Sequence, residues 1–246
     1  MPEPGPKLEM VATAFLTAEW RYLAMLNYEI DPAILAPYIP IGTELDDWHG
    51  KTFVSVVGFL FLNTKIGGIS IPFHSNFEEV NLRFYVKRKT PDGWRRAVVF
   101  IKEIVPRRAI AWVARTFYNE NYVALPMNHQ IEGDGSRVCY AWIFQGRQNR
   151  IELSTHGEPQ PTGENSLEEF ITEHYWGYAR QRDGSTIEYQ VEHPRWQVWT
   201  ARSAVLDCDV AQFYGKNFVE YLHGPPTSAF LATGSKVTVF KGMKLT

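Results

Sequence analysis

Four polar residues alternate through an apolar stretch: Glu79, Asn81, Arg83 and Tyr85 are interleaved with Val80, Leu82, Phe84 and Val86. In a β-strand neighbouring side chains point to opposite faces, so the stretch sorts into two rows. One row is wholly apolar, and the other carries an acid, an amide, a cation and a phenol. Members of a row stand about 7 Å apart, so Asn81 can bridge Glu79 and Arg83. Arg83 presents a fork suited to a carboxylate, while Glu79 and Tyr85 can move a proton or donate a hydrogen bond. Turned into a cavity, this row is an anion-reading wall with acid–base groups beside it. Turned to solvent it is a half-wet strand, and turned into a core it is a network that fixes register.

A second candidate is the pair Lys102-Glu103. Strict alternation groups Lys102 with Val98, Phe100 and Ile104, and Glu103 with Val99, Ile101 and Val105. One of the two therefore shares a face with aliphatic residues. A lysine held there loses affinity for its proton and becomes a nucleophile; a stem that snorkels to solvent is the commoner outcome and the one expected of Lys102. Glu103 joins Glu79 and Tyr85 as a candidate catalytic group. Two aromatic clusters, His174-Tyr175-Trp176-Gly177-Tyr178 and Glu192-His193-Pro194-Arg195-Trp196, supply His174, His193 and Trp196 as candidate ligand-binding residues alongside Asn81 and Arg83. The same clusters also suit a packed barrel seam.

Other chemistries lack their residues. None of the seven histidines stands in a two-ligand spacing such as His-x-His, so no metal site is expected. There is no Gly-x-Ser-x-Gly elbow, no CxxC pair, no phosphate loop and no dinucleotide fingerprint, so no cofactor is expected. The net charge of −2 attracts neither nucleic acid nor an anionic membrane, and no apolar run is long enough to span a bilayer. The segment Met1-Pro2-Glu3-Pro4-Gly5-Pro6-Lys7 lacks the apolar centre of a signal peptide. With only Cys139 and Cys208 there is no disulfide framework, and the chain reads as cytoplasmic. The partner expected is a small molecule; a homo-oligomer is compatible with the sequence.

These residues need a scaffold, and the rest of the chain reads as strands. After a disordered tail at 1–10, strands are expected at 18–30, 52–62, 77–88 and 95–105, the last two joined at Pro91-Asp92-Gly93. Asp31-Pro32 starts a short helix, and Asp46-Asp47-Trp48-His49-Gly50 makes a hairpin turn. A helix fits 108–118, followed by strands at 121–132, 136–147 and 150–155. Ser166-Leu167-Glu168-Glu169 is a capping box opening a helix to about residue 175. Strands at 186–192 and 196–204 follow, then a helix capped by Asp207 and a last strand near 236–241. Many strands with few helices favour one mainly β domain over 11–246, an antiparallel sheet curled into a barrel or sandwich.

Several segments carry a family resemblance: Leu26 to Pro32, Ile39 to Asp46, Val54 to Phe59, Phe77 to Val86, Phe100 to Arg107 and Tyr118 to Tyr122. Together they resemble the YqjF-like domain of unknown function, across about residues 12 to 241. More remotely the chain is similar to the acetoacetate decarboxylase superfamily, which implies a β-cone or barrel with a central pocket. That resemblance also implies a Schiff-base lysine in a Pro-Lys-Lys element after a strand bearing a Glu. The local counterpart here is Glu103 with Pro106-Arg107-Arg108, and arginine cannot form an imine. The family's arginine before the first helix falls near Glu29, a second departure. Schiff-base decarboxylation is therefore disfavoured. The expectation is a small-molecule-binding β-barrel whose ligand bears a carboxylate or carbonyl, anchored by Arg83. The rivals are a lyase, hydratase or isomerase using general acid–base catalysis, and a non-catalytic structural protein.

Overall fold

The computed structural model describes residues 13–107 and 121–245; the expected tail, Arg108 and the expected helix at 108–118 lie outside the described residues. Strand β1 (Ala14–Ile30) runs into Asp31, whose carboxylate accepts the Ala33 N–H at 2.8 Å and starts the helical turn Pro32–Leu35. A two-residue strand β2 (Glu44–Leu45) precedes a tight turn bridged between Trp48 and Lys51. Strand β3 (Thr52–Ile66) then doubles back through Gly67 and Gly68 into β4 (Ile69–Ser70). Strands β5 (Phe77–Thr90) and β6 (Gly93–Val105) form the expected hairpin, turning between Thr90 and Gly93.

The strand expected over 121–132 is two, β7 (Tyr122–Ala124) and β8 (Met127–Ile131). They are separated at Pro126, which has no N–H to extend a ladder. Strands β9 (Arg137–Phe144) and β10 (Arg147–Thr155) form a hairpin, and β11 (Gln160–Pro161) is a brief pairing within the polar loop. Ser166 Oγ accepts the Glu169 N–H at 3.1 Å, but the Glu169 carboxylate takes the N–H of Asn165 and not that of Ser166. The helix it opens ends at Thr172, short of the expected 175, and the chain goes straight into β12 (Trp176–Arg180), which the sequence reading missed. Strands β13 (Thr186–Glu192) and β14 (Gln197–Asp207) follow. Asp207 is the last residue of β14 and Asp209 caps the next helix, Val210–Phe213, correcting the expected cap. The closing strand β15 (Ser228–Phe240) begins well before the expected 236, and β16 (Met243–Lys244) ends the chain's pairing.

The sixteen strands of the described residues belong to one sheet, twelve of them in the order β16-β13-β12-β6-β5-β3-β1-β15-β14-β10-β9-β8, with β2 beside β5, β4 beside β3, β7 beside β6 and β11 beside β14. Strand β13 also pairs with β15, through Val191 opposite Val239 and Glu192 opposite Thr238, so the first part of the sheet rolls round an interior. The remainder, β14, β10, β9 and β8, folds back onto the outside of the roll, so the whole sheet is not one closed barrel. Nor is it wholly antiparallel: β12 runs parallel to β6, and β7 parallel to β6, as chain segments that return by crossovers must.

This layering settles the two rows of β5. The apolar row of Val80, Leu82, Phe84 and Val86 packs with Tyr140, Trp142 and Ile151 of the outer layer. Gly58 of β3 lets that layer approach, since a Cβ there would lie 2.5 Å from Tyr140 Cδ2. The polar row faces the roll's interior, so neither face of β5 is half-wet. Between Leu82 and Arg83 the pairing with β6 slips: Leu82 opposes Lys102 and Arg83 opposes Phe100, leaving Ile101 as a bulge. A bulge reverses the alternation beyond it. Glu103 therefore shares the interior face with Val98 and Phe100, and Lys102 faces outward, the reverse of the phase that strict alternation assigns. Among the described residues no helix is long and apolar enough to cross a membrane.

Candidate functional site

Inside the roll lies a cavity of about 150 Å³, lined by Glu79, Asn81, Arg83, Glu103, His174, His193 and Trp196 among others. Seven of the eight residues singled out in the sequence thus meet at one place. Glu79, Asn81 and Arg83 are only 2 %, 1 % and 8 % exposed, so their polar groups are held out of bulk water. Aromatic residues continue the wall beyond Glu79: Phe77 precedes it in the row, Phe59 and Phe61 stand opposite Glu79 and Phe77 on β3, and Trp20 lines the same space, with the Phe61 and Phe77 rings stacked at 4.7 Å. A cavity polar at one end and aromatic at the other suits a small ligand with one charged or polar end.

The polar wall is ordered by its own hydrogen bonds. Asn81 Nδ2 donates to Glu79 Oε1 at 3.0 Å, and Tyr122 Oη donates to Glu79 Oε2 at 3.0 Å. Asn81 stands directly opposite Glu103 across the β5–β6 ladder. Burial raises the Glu79 carboxyl to about 7, against the lowering effects of Asn81, Tyr122 and the Arg83 charge. An acid in that range changes protonation near neutral pH, as a general acid or base must.

Arg83 is the cation of the wall. Its Nη2 reaches only the Ile171 carbonyl at 3.5 Å and Met25 Sδ at 4.0 Å, and its guanidinium lies 5.7 Å from the centre of the Tyr85 ring. Among the described residues no carboxylate comes within ion-pair distance of it, and Nε has no hydrogen-bond partner.

His174 is placed by the turn that follows the Leu167–Thr172 helix. Its ring packs on Tyr85 at 4.7 Å and Phe170 at 5.3 Å, and its Nε2 meets Asp46 Oδ2 at 3.3 Å. Burial lowers its pKa to about 4, despite Asp46, so the ring is neutral at pH 7. Burial works against the Asp46 charge too, but His174 and Arg96, whose Nε donates at 2.7 Å, outweigh it and hold Asp46 at about 2. The neutral ring therefore carries its proton on Nε2, donated to Asp46, which leaves Nδ1 as an acceptor. His193 sits at the cavity's edge, stacked on Trp196 with ring centres 4.1 Å apart, and burial lowers its pKa.

Tyr85, expected as a catalytic group, does not reach the cavity. The polar row runs past the cavity's end, where Phe170 covers the Tyr85 ring at 5.5 Å. Its hydroxyl donates to Ser55 Oγ at 2.6 Å, Ser55 donates to Asn27 Oδ1 at 2.6 Å, and Asn27 donates to Ser228 Oγ at 3.0 Å. Tyr85 thereby ties β5 to β3, β1 and β15. Lys102 is half-buried on the outer face, with Nζ on the Phe213 carbonyl and 4.4 Å from the centre of the Phe213 ring. It is neither in the cavity nor free in solvent, and burial lowers its pKa. Arg107 is exposed. Asp46 and Tyr122 were missed: Asp46 reads as part of a turn, and Tyr122 reaches Glu79 only because β7 returns parallel to β6.

Comparison with known proteins bears on the fold and the family. The DUF2071 family, described as an uncharacterized conserved protein, matches residues 17–236. The uncharacterized protein YqjF of Bacillus subtilis strain 168 is 26% identical over 203 residues, 80% of each chain. Among solved structures, acetoacetate decarboxylase of Legionella pneumophila superposes with a TM-score of 0.67 at 14% identity, covering 100% of this chain and 92% of that one. The enduracididine biosynthesis enzyme MppR, complexed with pyruvate, superposes with a TM-score of 0.69 at 12% identity, covering 99% and 95%. At such identities the likeness shows a shared fold. This chain belongs to the DUF2071 family and has the fold of the acetoacetate decarboxylases.

Proposed function

We propose that the protein binds a small compound bearing a carboxylate or polarised carbonyl in this cavity. Arg83 anchors the acceptor oxygens, and Glu79 and Glu103 flank it as acid–base groups. The observation that carries this reading is Arg83 itself, a guanidinium only 8 % exposed with no ion-pair partner among the described residues. Burying a cation without an anion is costly, and a ligand carboxylate supplies the missing partner bidentately. The cavity volume of about 150 Å³ suits a ligand of roughly six to ten heavy atoms. MppR, a neighbour in fold alone, holds pyruvate, a compound of this size and charge.

A second reading, a lyase, hydratase or isomerase, is favoured by Glu79, whose raised pKa of about 7 suits proton transfer at neutral pH. Neither reading uses an imine. No lysine lines the cavity among the described residues, Lys102 faces the opposite side of the sheet, and residues 108–120 contain no lysine.

Native mass spectrometry of freshly purified protein tests the binding reading. Wild type and Arg88→Ala, whose site on the outer edge pairs with Glu188, should retain an acidic small molecule that Arg83→Ala loses. Equal retention by Arg83→Ala and Arg88→Ala would contradict it.

A further inference from the structure

The cavity wall makes a finer demand than a negative charge. Arg83 Nε, Trp20 Nε1, Asn81 Oδ1 and His174 Nδ1, all on cavity-lining side chains, are buried without a hydrogen-bond partner from the described residues. Two are donors and two are acceptors. The acceptor identities follow from the neighbours. Asn81 commits its NH2 group to Glu79, which turns Oδ1 away, and His174 gives its only proton to Asp46, which leaves Nδ1 bare. Asn81 and His174 are 1 % and 6 % exposed, so bulk water does not satisfy them.

A carboxylate or a ketone accepts hydrogen bonds and donates none, so a simple acid or 2-oxo acid fills only the donors Arg83 and Trp20. It leaves both acceptors bare, at the cost that any buried unpaired acceptor carries. We infer that the physiological ligand is a small hydroxy acid, its carboxylate on Arg83 and its hydroxyl donating to Asn81 Oδ1 or His174 Nδ1. Asn81 and Arg83 stand in one row, two residues apart on β5, and line the same cavity, so both can address one small ligand. The Trp20, Phe59 and Phe61 side of the cavity then takes an apolar tail. This inference rests on the Arg83 reading above and adds the hydroxyl to it.

Three acids that differ at one carbon separate the two: 2-hydroxy-4-methylpentanoate, 4-methyl-2-oxopentanoate and 4-methylpentanoate, titrated calorimetrically into the full chain. The hydroxy acid should bind about tenfold or more tighter than the other two, as expected for one extra hydrogen bond to a buried acceptor. His174→Phe or Asn81→Leu should cut that preference to about threefold or less, whatever either does to the affinity for 4-methylpentanoate. Nitrogen NMR of the imidazole in the ligand-free protein adds a second readout: the His174 proton should reside on Nε2, and a proton on Nδ1 would overturn the premise that His174 offers the ligand an acceptor. If the three acids bind alike and Arg83→Met abolishes all three, the hydroxyl inference fails and the anion site stands. If none binds to wild type, or Arg83→Met leaves the affinities unchanged, both fail.

Discussion

Glu79→Gln should make the fold more resistant to alkaline pH. Burial lifts the Glu79 carboxyl from the ordinary 4.5 to about 7 in the folded protein. A group whose pKa is raised by folding stabilises the fold while protonated, and that contribution is lost as pH rises through the folded value. At about 1.36 kcal/mol per unit, the shift amounts to roughly 3 kcal/mol, fully present below pH 4.5 and gone above about pH 8. About 2 kcal/mol of it falls between pH 5.5 and 8.5, a window in which the native state otherwise keeps its ion pairs. Glutamine keeps the shape and one acceptor oxygen for Tyr122 or Asn81 but cannot ionise. Unfolding free energies from urea melts across this window should change with pH by about 2 kcal/mol less favourably in wild type than in Glu79→Gln, the contributions of His174 and His193 being common to both. Parallel pH profiles for the two proteins would refute the reasoning, because Glu79 would then ionise as freely in the fold as outside it.

Further outcomes follow from the same geometry. Tyr122→Phe removes a donor to the Glu79 carboxylate, so the Glu79 pKa should rise further; the carboxyl infrared band should persist to higher pH than in wild type. Gly177→Ala would place a Cβ 2.2 Å from the Tyr189 ring, which lines the cavity. It should lower unfolding stability by about 1–3 kcal/mol and weaken ligand binding as Tyr189 is displaced. Lys102→Met should leave ligand affinity within about twofold of wild type, since its Nζ faces the Phe213 carbonyl on the outer layer. Borohydride with pyruvate should likewise give no mass adduct on Lys102, and an adduct there would reinstate imine chemistry.

The strand character of the chain was legible because long β-branched and aromatic runs alternate between turn residues. The row Glu79, Asn81, Arg83, Tyr85 was legible for the same reason, though its direction was not. Both rows of β5 are buried, one against Tyr140 and Trp142 and one against the cavity, and alternation alone cannot tell which layer lies on which side. The resemblance to a pocketed fold supplied that choice. The Ile101 bulge was illegible because no glycine marks it, so Glu103 and Lys102 were grouped with the wrong neighbours along β6. Trp176–Arg180 was hidden because a capped helix runs almost into it with no proline or glycine before Trp176. Asp46 looked like turn chemistry, and its partner His174 lies 128 residues away, a separation only the fold can close.

The central claim is that Arg83 exists for a ligand and not for the fold. Arg83→Met keeps the unbranched apolar stem and removes the guanidinium, so unfolding stability and binding of 4-methylpentanoate can be measured on the same two proteins. Replacing a buried charge by a packed apolar group is commonly neutral or stabilising, so the unfolding midpoint should hold or rise. Affinity should fall by about 2–5 kcal/mol, roughly 30-fold to several-thousand-fold. A variant that loses several kcal/mol of stability while binding the acid as wild type does would make Arg83 a strut of the sheet and contradict the account.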